Sequence, residues 1–462
     1  MIHKFIFDGT RLVLDVNSGA LHSVSEVAWD VLDGYIPGKC EELVNKYSAL
    51  HPRQEVEQAV EEIELLVEQG FLFTGDPFHG SWEQPDNRII KALCLFLSDR
   101  CSLQCRYCFA RPGVSSIGGA GLMTEEIGSQ AIDFLLTSSG PRRRVEVDFF
   151  GGEPLLNFPV LERLVSYGRK RSLALGKEIS FTVTTNALGL TREIGDYLCE
   201  NEISIILSLD GRPEVHDRMR VFPNGKGSYQ SVFRNISEFI KAHPQANYYL
   251  RGTYTAYNLD FSSDVIHMLG HGFSKVSVEP VIALAQEDYA IAEKDLPVIA
   301  KEYEKLTREI ILRLEKGQEV DFYHYNIDID EGVCLPKRLG GCGAGVEYLS
   351  VTIEGDLYPC HQFAGREGFL MGDVNSGVVR EDLRQLFRNA HIYKKEGCGS
   401  CWARNYCSGG CHANAHLFNG SIYKPDQLAC RIIKKRLECA LYLKAYRAMK
   451  ENNNDGINRL KV

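Results

Sequence analysis

The chain has 462 residues, of which 44% are apolar and 24% are charged, a composition typical of a folded globular protein. Its 52 Lys and Arg residues are outnumbered by 61 Asp and Glu residues, and the net charge of −9 argues against a nucleic-acid partner. No apolar run approaches the ~20 residues that span a membrane, and the N-terminus lacks an apolar signal segment. We therefore expect a cytoplasmic protein of about three domains with no membrane partner.

Residues 1–78 are predicted to form a winged-helix-like module. Three short runs of β-type residues come first, and three runs with apolar residues at helical spacing follow. The predicted strands are Ile2–Phe7, Arg11–Asp15 and Ala20–Ser23, and the predicted helices are Ser25–Leu32, Cys40–Tyr47 and Gln54–Gln69. Modules of this shape bind DNA in other proteins, but the last helix is rich in glutamate, so peptide or protein binding is the better interpretation.

After a polar linker at 79–90, residues 91–315 alternate between apolar strands and amphipathic helices. The predicted strands are Ala92–Leu97, Val145–Phe150, Ile179–Thr184, Ile203–Leu209, Tyr248–Tyr254 and Lys275–Val278. This alternation is typical of parallel βαβ units and therefore of the α/β class. Six strands are too few for an eight-stranded barrel, so we predict a partial (β/α)6 barrel. A Gly- and Cys-rich region at 316–430, built from loops, and a helix with a polar tail at 431–462 follow.

The chain contains 15 cysteines, and their clustering favours metal ligands over disulfides, which a reducing cytosol disfavours. Cys101, Cys105 and Cys108 follow the first barrel strand with the spacing C-x3-C-x2-C. Three thiolates on one tight loop lack the fourth ligand of a structural zinc site. They can instead hold three corners of a 4Fe–4S cluster and leave one iron open to a small molecule.

The loop CSLQCRYCFA resembles the signature of the radical S-adenosylmethionine (SAM) superfamily. The resemblance implies that the open iron binds SAM and that an electron from the reduced cluster cleaves it to methionine and a 5′-deoxyadenosyl radical. Ligand-binding residues gather at the carboxyl ends of strands in parallel α/β barrels. The residues predicted there to contact SAM are Tyr107, Gly151, Gly152, Glu153, Asn186, Ser208, Asp210, Arg220 and Val281, and Glu279 is a further catalytic candidate.

Within this set, Gly151–Pro154 reads GGEP, which resembles the family's motif for the amino group of SAM. The glycines let backbone approach closely, and Glu153 can accept a hydrogen bond from an ammonium group. Ser208 and Asp210 are candidates for the ribose hydroxyls or the methionine carboxylate region, and Arg220 is a candidate carboxylate partner.

The C-terminal region carries seven cysteines with the spacing of the SPASM domain of radical SAM peptide and protein maturases. The pattern is C-x12-G-x4-C, then C-x2-C-x5-C-x3-C and one last cysteine. By this resemblance one auxiliary 4Fe–4S cluster is held by Cys398, Cys401, Cys407 and Cys430, and three irons of another by Cys342, Cys360 and Cys411. The chain would then hold three 4Fe–4S clusters. The last iron is bound either by Cys334 or by a substrate thiolate, and two zinc ribbons are the alternative that spacing leaves open.

With its N-terminal module, barrel and SPASM spacing, the chain resembles the maturases of SCIFF peptides (six cysteines in forty-five residues). That resemblance implies a ribosomally made, Cys-rich precursor peptide as partner, whose leader adds a strand to the N-terminal module. It also implies a thioether between a peptide Cys sulfur and a carbon of another residue, as in sactipeptides and ranthipeptides. A ferredoxin or flavodoxin is the expected electron donor.

Three other functions remain open from the sequence. An anaerobic sulfatase-type maturase would oxidise Cys or Ser to formylglycine, and Glu279 could act as its base. A maturase that forms carbon–carbon links in a peptide would share the architecture. The third is a non-catalytic iron–sulfur or zinc adaptor that binds peptides, and the series of SAM residues at successive strand ends argues against it.

Overall fold

A computed structural model of the protein describes residues 1–78, 82–85, 88–109, 121–327 and 338–455. Its centre is an 11-stranded sheet covered by helices, and the N-terminal residues form a three-stranded sheet of their own. The predicted α/β class is therefore confirmed. Among the described residues, no helix is long and apolar enough to cross a membrane.

The N-terminal residues form an antiparallel sheet that packs against three helices. The strands are β1 (Ile2–Phe7), β2 (Thr10–Asp15) and β3 (Leu21–Ser23), and the helices are α1 (Glu26–Gly34), α2 (Cys40–Tyr47) and α3 (Arg53–Glu68). Val13 of β2 packs with these helices, in a small core that includes Val31 and Val56. Leu12 and Leu14 point the other way, because side chains alternate along a strand, and they belong to the main core of the molecule. The N-terminal sheet is therefore joined to the barrel by shared apolar packing.

Six parallel strands form the barrel sheet, each paired with the next along the chain. They are β4 (Ala92–Ser98), β5 (Arg144–Gly151), β6 (Glu178–Thr185), β7 (Ser204–Ser208), β8 (Tyr248–Tyr254) and β9 (Lys275–Pro280). The accompanying helices are α4 (Glu125–Ser138), α5 (Phe158–Ala174), α6 (Arg192–Glu200), α7 (Pro213–Met219), α8 (Tyr229–Ala242), α9 (Ser262–Gly270) and α10 (Leu296–Glu315). All six strands stand where the sequence predicts them, within two residues at either end.

The two faces of the barrel sheet differ in polarity. In β5, Val145, Val147 and Phe149 are buried on the face that the helices cover, whereas Glu146 and Asp148 lie on the opposite face. This alternation follows from the two-residue repeat of a strand. It recurs in the less buried residues of β7, β8 and β9, which include Ser208, Arg251, Thr253 and Glu279. We call this second, partly polar surface the inner face.

The C-terminal region adds strands to both edges of the barrel sheet, where the sequence predicted loops. β10 (Asp321–Phe322) pairs in parallel with β9, and β11 (Tyr348–Val351) pairs in parallel with β4. Three antiparallel strands continue from β11, namely β12 (Asp356–Tyr358), β13 (Gly372–Asp373) and β14 (Gly377–Val378). The prediction of loops alone is wrong because strands of two to four residues are too short to show a periodic pattern.

Within the described part of the C-terminal region, four helices have defined ranges. They are α11 (Glu381–Asn389), α12 (Arg404–Cys407), α13 (His412–Asn419) and α14 (Gln427–Asp455). The last helix begins at Gln427 rather than at the predicted residue 431, so Cys430 lies in its first turn. Cys407 ends α12 and Cys411 immediately precedes α13. Three of the SPASM-spaced cysteines are therefore positioned by helix ends.

Candidate active site and cysteine sets

The loop that follows β4 at residues 101–108, here called the cysteine loop, is attached to the barrel through its backbone. The N–H of Gln104 donates to the carbonyl of Val221 over 2.8 Å, and the N–H of Arg106 donates to the carbonyl of Met219 over 2.9 Å. Both acceptors lie in or just after α7. The loop is thus held between the end of β4 and the segment that follows β7.

The three thiols of the cysteine loop lie near one another. Burial raises the pKa of Cys101 to about 11, against hydrogen bonds to its sulfur from the N–H of Leu103 (3.4 Å) and Nδ2 of Asn186 (3.6 Å). Burial likewise raises the pKa of Cys105 to about 12, and the neighbouring thiols of Cys108 and Cys101 add to that shift. The structure therefore brings together the three residues predicted to hold the first cluster.

The two glycines of the GGEP motif stand where the end of β5 crosses the end of β4, just before the cysteine loop. The N–H of Gly152 donates to the carbonyl of Ser98 over 2.6 Å, and the N–H of Glu153 donates to the carbonyl of Arg100 over 2.8 Å. A Cβ on Gly151 would lie 2.3 Å from the Ser98 carbonyl oxygen, and a Cβ on Gly152 would lie 2.3 Å from that of Arg100. Only glycine permits this approach of two backbones.

Glu153 is 1% exposed and joins the GGEP motif to the end of β6. Its Oε1 accepts hydrogen bonds from the N–H of Leu155 (3.1 Å) and the hydroxyl of Thr185 (2.7 Å), and its Oε2 accepts one from the N–H of Asn186 (2.8 Å). Burial raises the pKa of Glu153, and these three donors oppose that shift. An ionised carboxylate has about four acceptor sites, so one remains for a donor such as the ammonium group of SAM.

Asp210, Arg220 and Tyr107 contact one another in the structure. Asp210 is fully buried, its Oδ2 accepts a hydrogen bond from the Tyr107 hydroxyl (2.5 Å), and its Oδ1 accepts one from the N–H of Thr253 (3.0 Å). Nε of Arg220 forms an ion pair with the same Oδ1 over 3.0 Å. These three residues, which are predicted to contact SAM, pair with one another and connect the cysteine loop to β7 and β8.

Ser208 lies at the carboxyl end of β7, and Val281 lies just after the carboxyl end of β9. Ser208 ends β7, where it is half-buried on the inner face opposite Arg251 of β8. Val281 directly follows β9 and is buried, and its N–H donates to the carbonyl of Tyr254 over 2.8 Å. The hydroxyl of Ser208 and the carbonyl of Val281 are therefore the groups that these residues offer to a ligand.

Glu279 is a paired carboxylate on the inner face. It forms an ion pair with Arg251 over 2.6 Å, and Nε2 of His324 lies 3.6 Å away. Burial raises the pKa of Glu279, but Arg251 and His324 outweigh burial and lower it to about 2. A carboxylate with so low a pKa is a poor match for a proton acceptor at neutral pH, which weakens the predicted role of Glu279 as a catalytic base.

His361 lies between the cysteine loop and the C-terminal cysteines. Its ring centroid is 5.7 Å from that of Phe109 and 5.0 Å from that of Phe150. Phe109 directly follows Cys108, His361 directly follows Cys360, and Phe150 belongs to the inner face of β5. The inner face is therefore bordered on one side by the cysteine loop and on the other by the C-terminal cysteines.

Four C-terminal cysteines lie together and are called the four-cysteine set (Cys398, Cys401, Cys407 and Cys430). Burial raises the pKa of Cys430 to about 12, and the thiols of Cys407, Cys398 and Cys401 add to the shift. The pKa of Cys398 is raised to about 11 by burial, with contributions from Cys407 and Cys401. Mutual influence of this kind indicates that the four thiols lie near one another.

The other three are called the three-cysteine set (Cys342, Cys360 and Cys411). Burial raises the pKa of Cys360 to about 12, and the thiols of Cys342 and Cys411 raise it further. Burial also raises the pKa of Cys411, and Cys342 contributes to that shift. Cys334, the predicted alternative ligand for this set, lies outside the described residues.

The donor chemistry of these sites fits iron–sulfur clusters. Buried thiols become ligands only as thiolates, and bound iron supplies the positive charge that balances them. Backbone N–H groups already donate to the sulfurs of Cys101, Cys360 and Cys407, as is usual around cluster sulfurs. The described part of the chain has no group of three or more His, Cys, Asp or Glu side chains arranged around a single metal ion, and a cubane spreads its cysteines over several irons.

Comparison with known proteins extends these observations. Residues 88–233 match a family model described as a 4Fe-4S single cluster domain. The chain is 22% identical over 428 residues to the radical SAM cyclopropyl synthase TigE of Paramaledivibacter caminithermalis, which covers 85% of this chain and 84% of the relative. These similarities support a radical SAM enzyme that uses SAM and 4Fe–4S clusters.

Solved structures with a similar fold match this chain over most of its length. Native anSMEcpe with bound AdoMet superposes with a TM-score of 0.64 at 20% identity, covering 77% of this chain and 98% of that chain. SuiB of Streptococcus suis bound to S-adenosylmethionine superposes with a TM-score of 0.51 at 15% identity, covering 92% of this chain and 98% of that chain. The second alignment extends over a larger share of this chain than the first.

The structure also places residues beside the cysteines that the sequence did not single out. His361, Lys395 and Arg404 each stand within three residues of a predicted ligand. That proximity was the available signal, but Lys and Arg in loops are usually exposed, whereas here Lys395 and Arg404 are 3% and 4% exposed. Only the folded structure shows that these charges are inside.

Proposed function

We propose that this chain is a maturase that forms thioether crosslinks in a Cys-rich, ribosomally made precursor peptide and holds three 4Fe–4S clusters. The observation that carries the proposal is the position of the inner face between the cysteine loop and the three-cysteine set, where His361 contacts Phe109 and Phe150. A peptide on this face lies within reach of both. A set of three protein thiols leaves one ligand position for a peptide thiolate, which would place its sulfur beside the carbon that reacts.

The overall reaction balances with SAM as the oxidising co-substrate. One C–H bond and one Cys S–H bond of the peptide break, one C–S bond forms, and SAM is converted to methionine and 5′-deoxyadenosine. When bound, SAM and the reduced cluster of the cysteine loop supply the group that removes the carbon-bound hydrogen atom. The thiol proton goes to solvent, and the remaining electron leaves through the iron–sulfur clusters.

The chain's own residues orient the two substrates. Glu153 offers its remaining acceptor site to the ammonium group of SAM, and the Asp210–Arg220 pair keeps the cysteine loop in place beside it. Along the inner face, Ser208 and the Arg251–Glu279 pair offer a hydroxyl, donors and an ionised acceptor to the backbone of a peptide. These groups support binding and orientation, and none needs to change its protonation state.

The N-terminal residues are proposed to bind the leader of the precursor. In the sheet order β1-β2-β3, the outer strands are β1 and β3, and each has a strand partner on one side only within the described residues. An edge strand accepts an extended peptide through main-chain hydrogen bonds, while pockets beside it select side chains. The leader would therefore dock by adding a strand to this sheet.

The test is anaerobic incubation of the reconstituted enzyme with SAM, a reductant and a Cys-rich peptide encoded next to its gene. We expect 5′-deoxyadenosine, loss of two hydrogen atoms per crosslink and a cysteine that no longer reacts with an alkylating agent. Cys105→Ala, which removes a ligand of the cysteine loop, should form neither product. Iron and sulfide analysis should account for three clusters in the wild type and two in this variant.

Other outcomes would contradict parts of the proposal. The same mass loss with every thiol still open to alkylation would indicate a carbon–carbon link, as in the cyclopropyl chemistry named for TigE. Conversion of Cys or Ser to formylglycine would indicate sulfatase-type maturation. Absence of 5′-deoxyadenosine from cluster-loaded protein would leave a peptide-binding adaptor.

A further inference from the structure

Lys395 is a buried cation without a carboxylate partner in the part of the chain that the structure describes. It is 3% exposed, and its Nζ donates to the carbonyl of Gly409 over 2.8 Å and contacts Nδ1 of His412 at 2.9 Å. Because a lysine ammonium can only donate, Nδ1 of His412 accepts. Both partners are neutral, so neither balances the charge, and an unbalanced buried charge is costly.

Thiols of both C-terminal sets raise the pKa of Lys395. Burial lowers the pKa of Lys395, and this shift is opposed by Cys398 and Cys407 of the four-cysteine set and by Cys342 and Cys411 of the three-cysteine set. An ammonium group that senses thiols from two sets lies between them. The negative charge that balances Lys395 therefore comes from these thiols when they are ionised, together with the group that they bind.

The contacts of Lys395 hold the segment that joins the two sets. Gly409 lies between Cys407, of the four-cysteine set, and Cys411, of the three-cysteine set, and His412 directly follows Cys411. Gly409 has φ +81°, and a Cβ there would lie 3.0 Å from Cδ of Lys395. The lysine is packed against this segment, so its charge has a fixed position relative to both sets.

We propose that Lys395 is the shared counter-cation of the two auxiliary clusters and raises the reduction potential of both. The inference rests on the proposed function in that both C-terminal sets hold iron–sulfur clusters. Cysteine-ligated clusters carry net negative charge, and their potentials depend on nearby charge and hydrogen bonds. A fixed positive charge stabilises the reduced form, which carries one more electron, over the oxidised form. It therefore favours the auxiliary clusters as acceptors of the electron left after C–S bond formation.

Redox titration followed by electron paramagnetic resonance tests the inference on the full-length, reconstituted protein. The variants are Lys395→Met, which removes the charge at similar length, and Lys395→Arg, which keeps it. Lys394→Met is the matched control, because Lys394 is adjacent and exposed. Each change is also made together with Cys105→Ala, so that the remaining signals come from the auxiliary clusters alone.

We expect Lys395→Met to lower the ratio of reduced to oxidised cluster at least tenfold at fixed potential in both auxiliary clusters, which is about 59 mV for a one-electron couple. Lys395→Arg and Lys394→Met should titrate close to the wild type, and the cluster of the cysteine loop should keep its potential in every variant. Wild-type potentials in Lys395→Met, or a shift of one auxiliary cluster only, would overturn the inference.

If a variant assembles its auxiliary clusters poorly, its iron content tests the inference instead of its redox potentials. Loss of auxiliary iron from Lys395→Met with retention in Lys395→Arg supports a requirement for the charge, whereas loss from both variants would overturn it in favour of packing. A wild-type protein without auxiliary cluster signals would overturn the proposed function itself. The two failures are therefore distinguishable.

Discussion

The cysteine loop and the C-terminal cysteine sets hold their ligands in different ways. The cysteine loop lies at the end of a parallel sheet and is positioned by backbone hydrogen bonds and by the buried Asp210–Arg220 pair. The C-terminal sets lie among short strands and helix ends, and a buried lysine lies between them. The comparison teaches that the barrel prepares the first site before iron arrives, whereas the second region relies on its metal and on neighbouring parts of the chain for its shape.

The N-terminal sheet is one of those neighbours. Arg404, between Cys401 and Cys407, donates through its NH2 group to Oδ1 of Asn17 (2.6 Å) and to Oδ2 of Asp76 (2.8 Å). Close by, the ring of His3 stacks on Trp402 with 3.7 Å between centroids. These contacts fasten the four-cysteine set to the first 78 residues. We therefore expect removal of residues 1–78 to damage the C-terminal clusters as well as leader binding.

The largest loss of activity is expected from a change where β5 crosses the segment between β4 and the cysteine loop. Gly152→Ala places a methyl group 2.3 Å from the Arg100 carbonyl oxygen, and because both partners are backbone, the loop has to move. A displacement of this size should reduce SAM cleavage about 100-fold, as measured by 5′-deoxyadenosine formation. Gly189→Ala is the control, since its new methyl group meets only Cβ of Leu155 at 3.6 Å. Equal activity in the two variants would contradict the argument.

The next effect separates the two regions directly. Arg404→Met leaves Asp76 without its partner in a largely buried ion pair, which costs about 3 to 5 kcal/mol. We expect a lower thermal midpoint and loss of C-terminal iron before loss of iron from the cysteine loop. Arg380→Met removes an exposed ion pair with Asp382 and should change little. Simultaneous loss of all iron from Arg404→Met would count against separate support of the two regions.

A smaller effect is expected inside the barrel. Tyr107→Phe removes the hydroxyl that donates to Asp210, and a hydrogen bond to a charged group contributes about 1.5 to 3 kcal/mol. The variant should bind SAM more weakly and keep its C-terminal clusters, as measured by equilibrium SAM binding and by iron analysis. Unchanged SAM affinity would show that the loop does not depend on this contact.

The smallest effect concerns pH. Burial, with help from Glu146, raises the pKa of Asp148 to about 6 from an ordinary value of 3.8. Between these values the native state holds more protons than the unfolded state, so the contribution of Asp148 to stability falls as pH rises. Asp148→Asn should therefore be more stable than the wild type at pH 7, with the difference vanishing below 3.8. Thermal melts across this range check the sign, and a constant difference would refute it.

Much of the fold could be predicted because long elements have periodic patterns. The strands Tyr248–Tyr254 and Lys275–Pro280 were recognisable from runs of apolar and β-branched residues. The added strands Asp321–Phe322 and Gly372–Asp373 were not, because two residues carry no period. The pairing of Asp321–Phe322 also depends on β9, a segment distant in the chain, which a single sequence does not reveal.

Residue types at the site could be predicted better than their partners. The spacing of the cysteines and the GGEP run identified which residues to examine, since both are local patterns. That Arg220 pairs with Asp210 depends on burial of both side chains, and loop residues give no periodic sign of burial. Lys395 was missed for the same reason, because a buried lysine and an exposed one look alike in sequence.

The pairing of β11 with β4 has a consequence for biosynthesis. β4 is flanked by β5 early in translation, but its other edge is covered only when residues 348–351 emerge from the ribosome. Until then, the N–H and C=O groups along that edge face water, and the nascent barrel stays open beside Cys101. The sheet edge beside the first site is therefore completed only by the C-terminal region, the last part of the chain to be synthesised.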